Sequence, residues 1–274
     1  MKAHMNAPRT SRSVGSISPK AERSPSHLPR KGAKPLKKQK AGSKRNPITR
    51  LIGWLWRWCW RLAIAYVAAV CSLILIYLIP QVRPVSMLML RDLFEKGHYE
   101  RQWVPLSQIA PVMQRAVIVS EDGKFCTHAG VDWGAVETVI DDATKGKRVR
   151  GASTIAMQTV KNLFLWSDRS YIRKGMEVPL ALLVDAVWSK ERLLEIYLNS
   201  AEWGTGLYGI EAASKRYFGI SATHLSAWQA AALAATLPNP TKRNPANLHP
   251  DIADVAHTIE SRAYGASSSD NCLE

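Results

Sequence analysis

Eighteen consecutive residues, Leu62 to Ile79, carry no charge and end at Pro80. As a helix this run is about 27 Å long at ~1.5 Å per residue, close to the ~30 Å hydrocarbon core of a bilayer. Trp54, Trp56, Trp58 and Trp60 precede it, interleaved with Arg57 and Arg61. These residue types favour a membrane–water interface. We read 51–80 as a retained transmembrane anchor. A cleaved secretory signal would have a shorter apolar core, roughly 7–15 residues, and a small-residue cleavage site. Here Pro80-Gln81-Val82-Arg83-Pro84 follows instead.

Charge orients the anchor. Residues 1–50 hold 14 Lys and Arg against one acid, Glu22, leaving 23 of the 37 basic side chains and 21 of the 22 acids for the rest. A basic tail can bind nucleic acid, or lie beside anionic lipid at about 1 kcal/mol per Lys or Arg. The anchor decides between them. The basic excess places the N-terminus in the cytoplasm and everything after residue 80 outside it, where nucleic acid is no partner. The tail has too few apolar residues to offset its ordering entropy, so 1–50 reads as disordered.

Cys59, Cys71, Cys126 and Cys272 show no CxxC and no metal-ligand spacing, so neither a zinc site nor a structural disulfide is expected. Residues 81–250 read as one mainly α domain. Helical patterns fall at about 107–120, 132–145, 152–165, 170–199, 206–217 and 225–237, with Gly and Asn-Pro punctuation between several of them. Ser226 and Gln229 form a capping-box pattern. Pro179 is predicted to kink or restart the helix around it. Asp251–Arg262 has only a modest apolar face (Ile252, Val255, Ile259). Residues 251–274 therefore read as a short tail, disordered from Gly265.

Three stretches bear chemistry. The apolar run Ala116–Val119 ends in Ser120-Glu121-Asp122-Gly123; these acids fit either a cleft floor or a solvated turn. Gly151-Ala152-Ser153-Thr154 opens a helical pattern, and free N–H groups and hydroxyls there suit phosphate or sugar oxygens. Ser153 or Thr154, Gln158 and Lys161 then recur on one face, equally consistent with an N-cap and a solvated stripe. Arg169, Arg173 and Glu177 recur at four-residue spacing, as a binding face or a salt-bridged exposed helix would have them.

Together these stretches resemble the motif series of glycosyltransferase family 51, the peptidoglycan polymerases. The series runs Glu-Asp-x-x-Phe-x-x-His-x-Gly (121–130), Gly-x-Ser-Thr-Ile-x-x-Gln-x-x-Lys-Asn (151–162) and Arg-Lys-x-x-Glu (173–177). It continues with Lys-x-x-Leu-Leu-Glu-x-Tyr-Leu-Asn (190–199) and Trp203-Gly204 through Gly209-Ile210-Glu211-Ala212-Ala213 to Tyr217-Phe218-Gly219. The resemblance covers about 107–245, and five motifs stand in the family order. The absence of a Ser-x-x-Lys nucleophile domain resembles the monofunctional branch, which has no transpeptidase activity. Gln229 stands where the family usually has Glu.

The resemblance implies a lysozyme-like helical fold and an enzyme of peptidoglycan synthesis, cell-wall biogenesis and cell shape. Its substrates would be lipid II and the growing lipid-linked strand. Other cell-wall synthesis or division proteins would be further candidate partners. It implies a domain on the periplasmic side of the bacterial inner membrane. By family match, Glu121 is the general base and Glu177 the second essential acid. Lys161 and Arg169 neutralise the pyrophosphate, and Ser153, Thr154, Gln158, Asn162, Arg173 and Lys174 line the substrate cleft. The α-linked donor becomes a β-1,4 link, so a single inverting displacement is expected. No cofactor is required, although Asp122 is a candidate for a Mg or Mn ion bridging the pyrophosphate. His128 reads as a structural hydrogen-bonding residue. Leu163-Phe164-Leu165-Trp166 fits either the membrane interface or the core. Two rival readings are a lysozyme-like hydrolase, which needs no phosphate-binding cations, and a non-enzymatic scaffold that binds wall precursors.

Overall fold

A computed structural model describes residues 46–147, 151–168, 170–265 and 272–273. The disorder expected for residues 1–45, 266–271 and 274, and the role expected of Arg169, lie outside the described residues. The chain divides into two compact units, residues 1–53 and 54–274. Of the first, the described part is Asn46–Gly53, the opening turns of helix α1 (Pro47–Ile76). Helix therefore includes Pro47–Arg50, which the sequence reading assigned to the tail. Proline is pre-organised for a first helical position, and the Thr49 hydroxyl donates to Asn46 O at 2.7 Å.

In the second unit α1 continues as the one helix, among the described residues, long and apolar enough to cross a membrane. Its tryptophans are exposed, and Arg61 lies over the Trp58 ring. Only Val70 and Ile74 are buried. Trp188 Nε1 donates to Ile74 O at 2.8 Å, and Arg192 donates to Tyr77 O, Ile79 O and Val82 O. The first of these bonds serves a carbonyl that the end of α1 leaves without a helical partner, and the Arg192 bonds hold the segment that follows it.

Beyond α1 the unit is helical, as expected: α2 (Met87–Lys96), α3 (Pro111–Glu121), α4 (Trp133–Thr144), α5 (Ile155–Phe164), α6 (Tyr171–Val187), α7 (Lys190–Ser200), α8 (Ile210–Phe218), α9 (Ala227–Thr236) and α10 (Pro250–Gly265). Strands β1 (Glu100–Arg101), β2 (Glu202–Gly204) and β3 (Leu207–Tyr208) form a small sheet of order β1-β3-β2. β3 is parallel to β1 and antiparallel to β2.

Helix α5 lies between α6 and α7 and buries eight of its ten residues, Lys161 and Gln158 being the two that keep access to solvent. Buried Ile, Met or Val side chains contribute roughly 1.5–3 kcal/mol each, so Ile155, Met157 and Val160 hold α5 firmly in place. Leu163, Phe164 and Leu165 are buried as well, leaving Trp166 alone of that stretch exposed.

Three expectations are corrected. The pattern over 170–199 is two helices, because Trp188 turns to an extended ψ of 145° and Ser189 caps the next helix through the Arg192 N–H. The restart predicted at Pro179 does not occur; α6 runs through it, giving up one backbone bond. Cys126 and Cys272, 146 residues apart, form a disulfide where none was expected, because their approach depends on tertiary packing and not on local spacing.

The C-terminal stretch read as a tail contains α10, which packs on α9 and α3 through Ala256, Ile259 and Ala263. Small residues let the backbones approach closely, so a modest apolar face is enough. The capping box at Ser226 and Gln229 is formed in both directions.

Candidate active site

Helix α3 buries Met113, Ala116, Val117 and Ile118, so its C-terminal end is held against the core and Glu121 closes its last turn. Asp122 follows as the C-cap, and its carboxylate turns to the neighbouring helix. Its Oδ2 accepts the Ile155 N–H at 3.0 Å, and its Oδ1 lies 2.7 Å from His128 Nε2. An acid at a helix N-terminus satisfies a free N–H and matches the helix dipole. Thr154 is the N-cap of the same helix: its hydroxyl accepts the Met157 N–H and donates to Gly130 O at 2.6 Å. Gly130 has a φ of +75°, and a Cβ there would fall 2.5 Å from Ala181 O of α6. Glycine is thus what allows the 121–130 loop to lie against α6.

The Glu121 side chain is half-buried. Its Oε2 accepts from Gln158 Nε2 at 2.8 Å, and the Tyr197 hydroxyl donates to Gln158 Oε1 at 3.1 Å. Burial raises the Glu121 carboxyl above its usual range; the Gln158 donor and the Lys161 charge act against that, and Asp122 adds to it. Burial also lowers the Lys161 ammonium below the usual lysine range, with Glu177 and Glu121 opposing, and Arg173 and Lys174 reinforcing. Lys161 is thus subject to the charges of both Glu121 and Glu177.

Glu177 is buried on α6. Its Oε1 accepts from Arg173 at 2.6 Å and its Oε2 from Lys174 at 2.9 Å. Arg173 also donates to Asp168 O, and Lys174 to Ser153 Oγ at 2.6 Å. The two cations next to Glu177 are therefore engaged by the protein. Lys161, in contrast, makes no hydrogen bond or ion pair among the described residues. Asn162 is buried behind it on α5. A cleft of about 140 Å³ opens in front of Glu121, Asp122, Ser153 and Thr154.

Of the residues singled out from the sequence, Glu121, Ser153, Thr154, Gln158, Lys161, Arg173, Lys174 and Glu177 thus share one connected region. Asp122 fits a metal bridge poorly, since both its oxygens are engaged by protein groups. Among the described residues no three His, Cys, Asp or Glu side chains gather to hold a metal ion. Tyr197 was missed as a site residue. It lies within the 190–199 motif, but only the fold brings it to Gln158.

The sequence profile of the transglycosylase family matches residues 89–263. The biosynthetic peptidoglycan transglycosylase of Rhizobium meliloti (strain 1021) is 54% identical over 202 residues, 74% of this chain and 86% of that protein. The protein of the same name from Brucella suis biovar 1 (strain 1330) is 54% identical over 202 residues, covering 74% and 90% of the two chains. That from Mesorhizobium japonicum is 54% identical over 214 residues, covering 76% and 91%. A family match over most of the helical domain, and relatives identical at about half of their positions, mean that the chain belongs to the transglycosylase family and is a glycosyltransferase.

Proposed function

We propose that this chain polymerises lipid II into β-1,4-linked glycan strands, with Glu121 as the general base. The observation that carries the reading is Lys161: a half-buried ammonium without a hydrogen-bond or ion-pair partner among the described residues, subject to the charges of Glu121 and Glu177. An unpaired buried charge costs stability unless something pairs with it. A pyrophosphate would supply the missing anion.

The acceptor is a sugar hydroxyl, a weak nucleophile until a base takes its proton. Glu121 takes that proton as the oxygen attacks C1 of the donor. The C1–O bond to undecaprenyl pyrophosphate breaks in the same displacement, inverting α to β. Negative charge builds on the leaving diphosphate, where preorganised cations stabilise it most. Lys161 serves there as a point charge, and Arg169 as a planar fork. Arg173 and Lys174 fix Glu177, and Lys174 in turn fixes Ser153 at the cleft.

The substrate's polyprenyl tail stays in the bilayer. A single crossing by α1 keeps the domain beside it, with the basic N-terminus in the cytoplasm and the domain on the outer face of the bacterial inner membrane.

The test is polymerisation of purified lipid II by the detergent-solubilised full chain, with Glu121→Gln as the control. Polymer from the wild type and none from the variant, with lipid II binding retained, supports the reading. Full activity in Glu121→Gln removes Glu121 as the base. Cleavage of lipid-free glycan strands by the wild type would favour a hydrolase instead.

A further inference from the structure

Tyr197 is fully buried on α7, yet its hydroxyl reaches the site. It donates to Gln158 Oε1 at 3.1 Å, and Gln158 Nε2 donates to Glu121 Oε2 at 2.8 Å. A terminal amide is almost symmetric in shape but not in chemistry, since one end donates and the other accepts. Turned over, Gln158 would set its carbonyl oxygen against the Glu121 carboxylate, two acceptors with no proton between them. The acceptor-only carboxylate thus selects the productive orientation, and the Tyr197 hydroxyl, by donating to the carbonyl end, holds the amide there; burial keeps that hydroxyl protonated far above neutral pH.

The donor stands on a fixed frame. Asn199 of α7 exchanges two hydrogen bonds with the Val104 backbone, and Glu195 accepts the Leu106 N–H. Each end of the Gln158 amide makes one bond to the protein, which ties its orientation to Glu121 and Tyr197. The charged and titratable groups facing Glu121 are Lys161 from α5, Asp122 from the following loop and Tyr197 from α7.

We propose that Tyr197 is a positioning residue for glycosyl transfer: acting through Gln158, it fixes the orientation of the Glu121 carboxylate and the proton affinity at which that carboxylate works. The proposal rests on the reading of Glu121 as the base.

The test is the pH dependence of lipid II polymerisation by the full chain carrying Tyr197→Phe. Loss of orientation lowers kcat on the order of ten- to a hundredfold, the scale of small misplacements at a reacting centre, while KM stays at the wild-type value. The acidic limb of the profile moves to higher pH, because Glu121 loses the donor that opposes its burial. Gln158→Leu, which leaves α7 untouched, shifts the limb the same way, and adding Tyr197→Phe to it costs nothing further in kcat. An unmoved acidic limb in both single variants overturns the proposal, as do additive losses in the double variant. If Tyr197→Phe fails to fold, Gln158→Leu keeps the proposal falsifiable: an unmoved limb there leaves Tyr197 nothing to act through and overturns it. Glu121→Gln separates the two levels. Turnover retained there removes the base itself; an inactive Glu121→Gln beside an unmoved Tyr197→Phe removes only the relay.

Discussion

Asp122 accepts the backbone N–H of Ile155 at 3.0 Å. The residue following the candidate base thereby caps the helix that carries Lys161. Asp122→Ala removes this cap and the hydrogen bond to His128 together. Stability should fall by about 1–3 kcal/mol, read as a lower midpoint in thermal or urea unfolding. An unchanged midpoint would contradict the capping role.

The pH profile of polymerisation should be narrower than free side chains would give. A base works only when unprotonated, so activity rises with pH through the Glu121 carboxyl, which lies above the usual glutamate range. A cation works only when protonated, so activity falls through the Lys161 ammonium, which lies below the usual lysine range. Lys161→Arg should move the alkaline limb to higher pH, since arginine does not deprotonate in this range. An alkaline limb that stays in place would assign it to another group.

Lys161→Ala should cost turnover and not folding. The ammonium has no partner among the described residues and is disfavoured by burial, so its removal relieves a desolvation cost. We expect kcat to fall on the order of a hundredfold or more, with an unfolding midpoint equal to or above that of the wild type. A variant that unfolds more easily but keeps its specific rate would refute this.

The Cys126–Cys272 disulfide can be counted directly. Denatured, unreduced protein should show two titratable thiols, from Cys59 and Cys71; four would mean the bond does not form. Opening so long a loop with reductant or Cys126→Ser should cost about 2–4 kcal/mol of stability. Cys126 lies between Asp122 and His128 on the loop that follows Glu121, so the thermal midpoint and the rate should both be measured after reduction.

Much of the local structure was legible from residues alone. The long apolar helix α1 follows from an uncharged run of bilayer length, and the helix at Ala227 from Ser226 and Gln229. Backbone bonds reach only four residues and caps only three, so neighbours in sequence suffice to specify them. The motif series located Glu121, Lys161 and Glu177 as candidates, because the chemistry of a site restricts residue type at each position. Other features escaped a local reading. Strands of two or three residues are too short to show a period, and the break at Trp188 depends on a ring nitrogen reaching Ile74 O, 114 residues away.

The sequence by itself determined the helical class, the one long apolar helix and the identities of the charged groups. Only the tertiary structure decided how those groups are paired: Arg173 and Lys174 bound to Glu177, Gln158 held between Tyr197 and Glu121, and Lys161 left without a partner among the described residues. The physical reason is range. A side chain's charge is intrinsic to it, whereas its burial and its partner depend on residues brought near by packing, 37 positions apart for Glu121 and Gln158 and 39 for Gln158 and Tyr197.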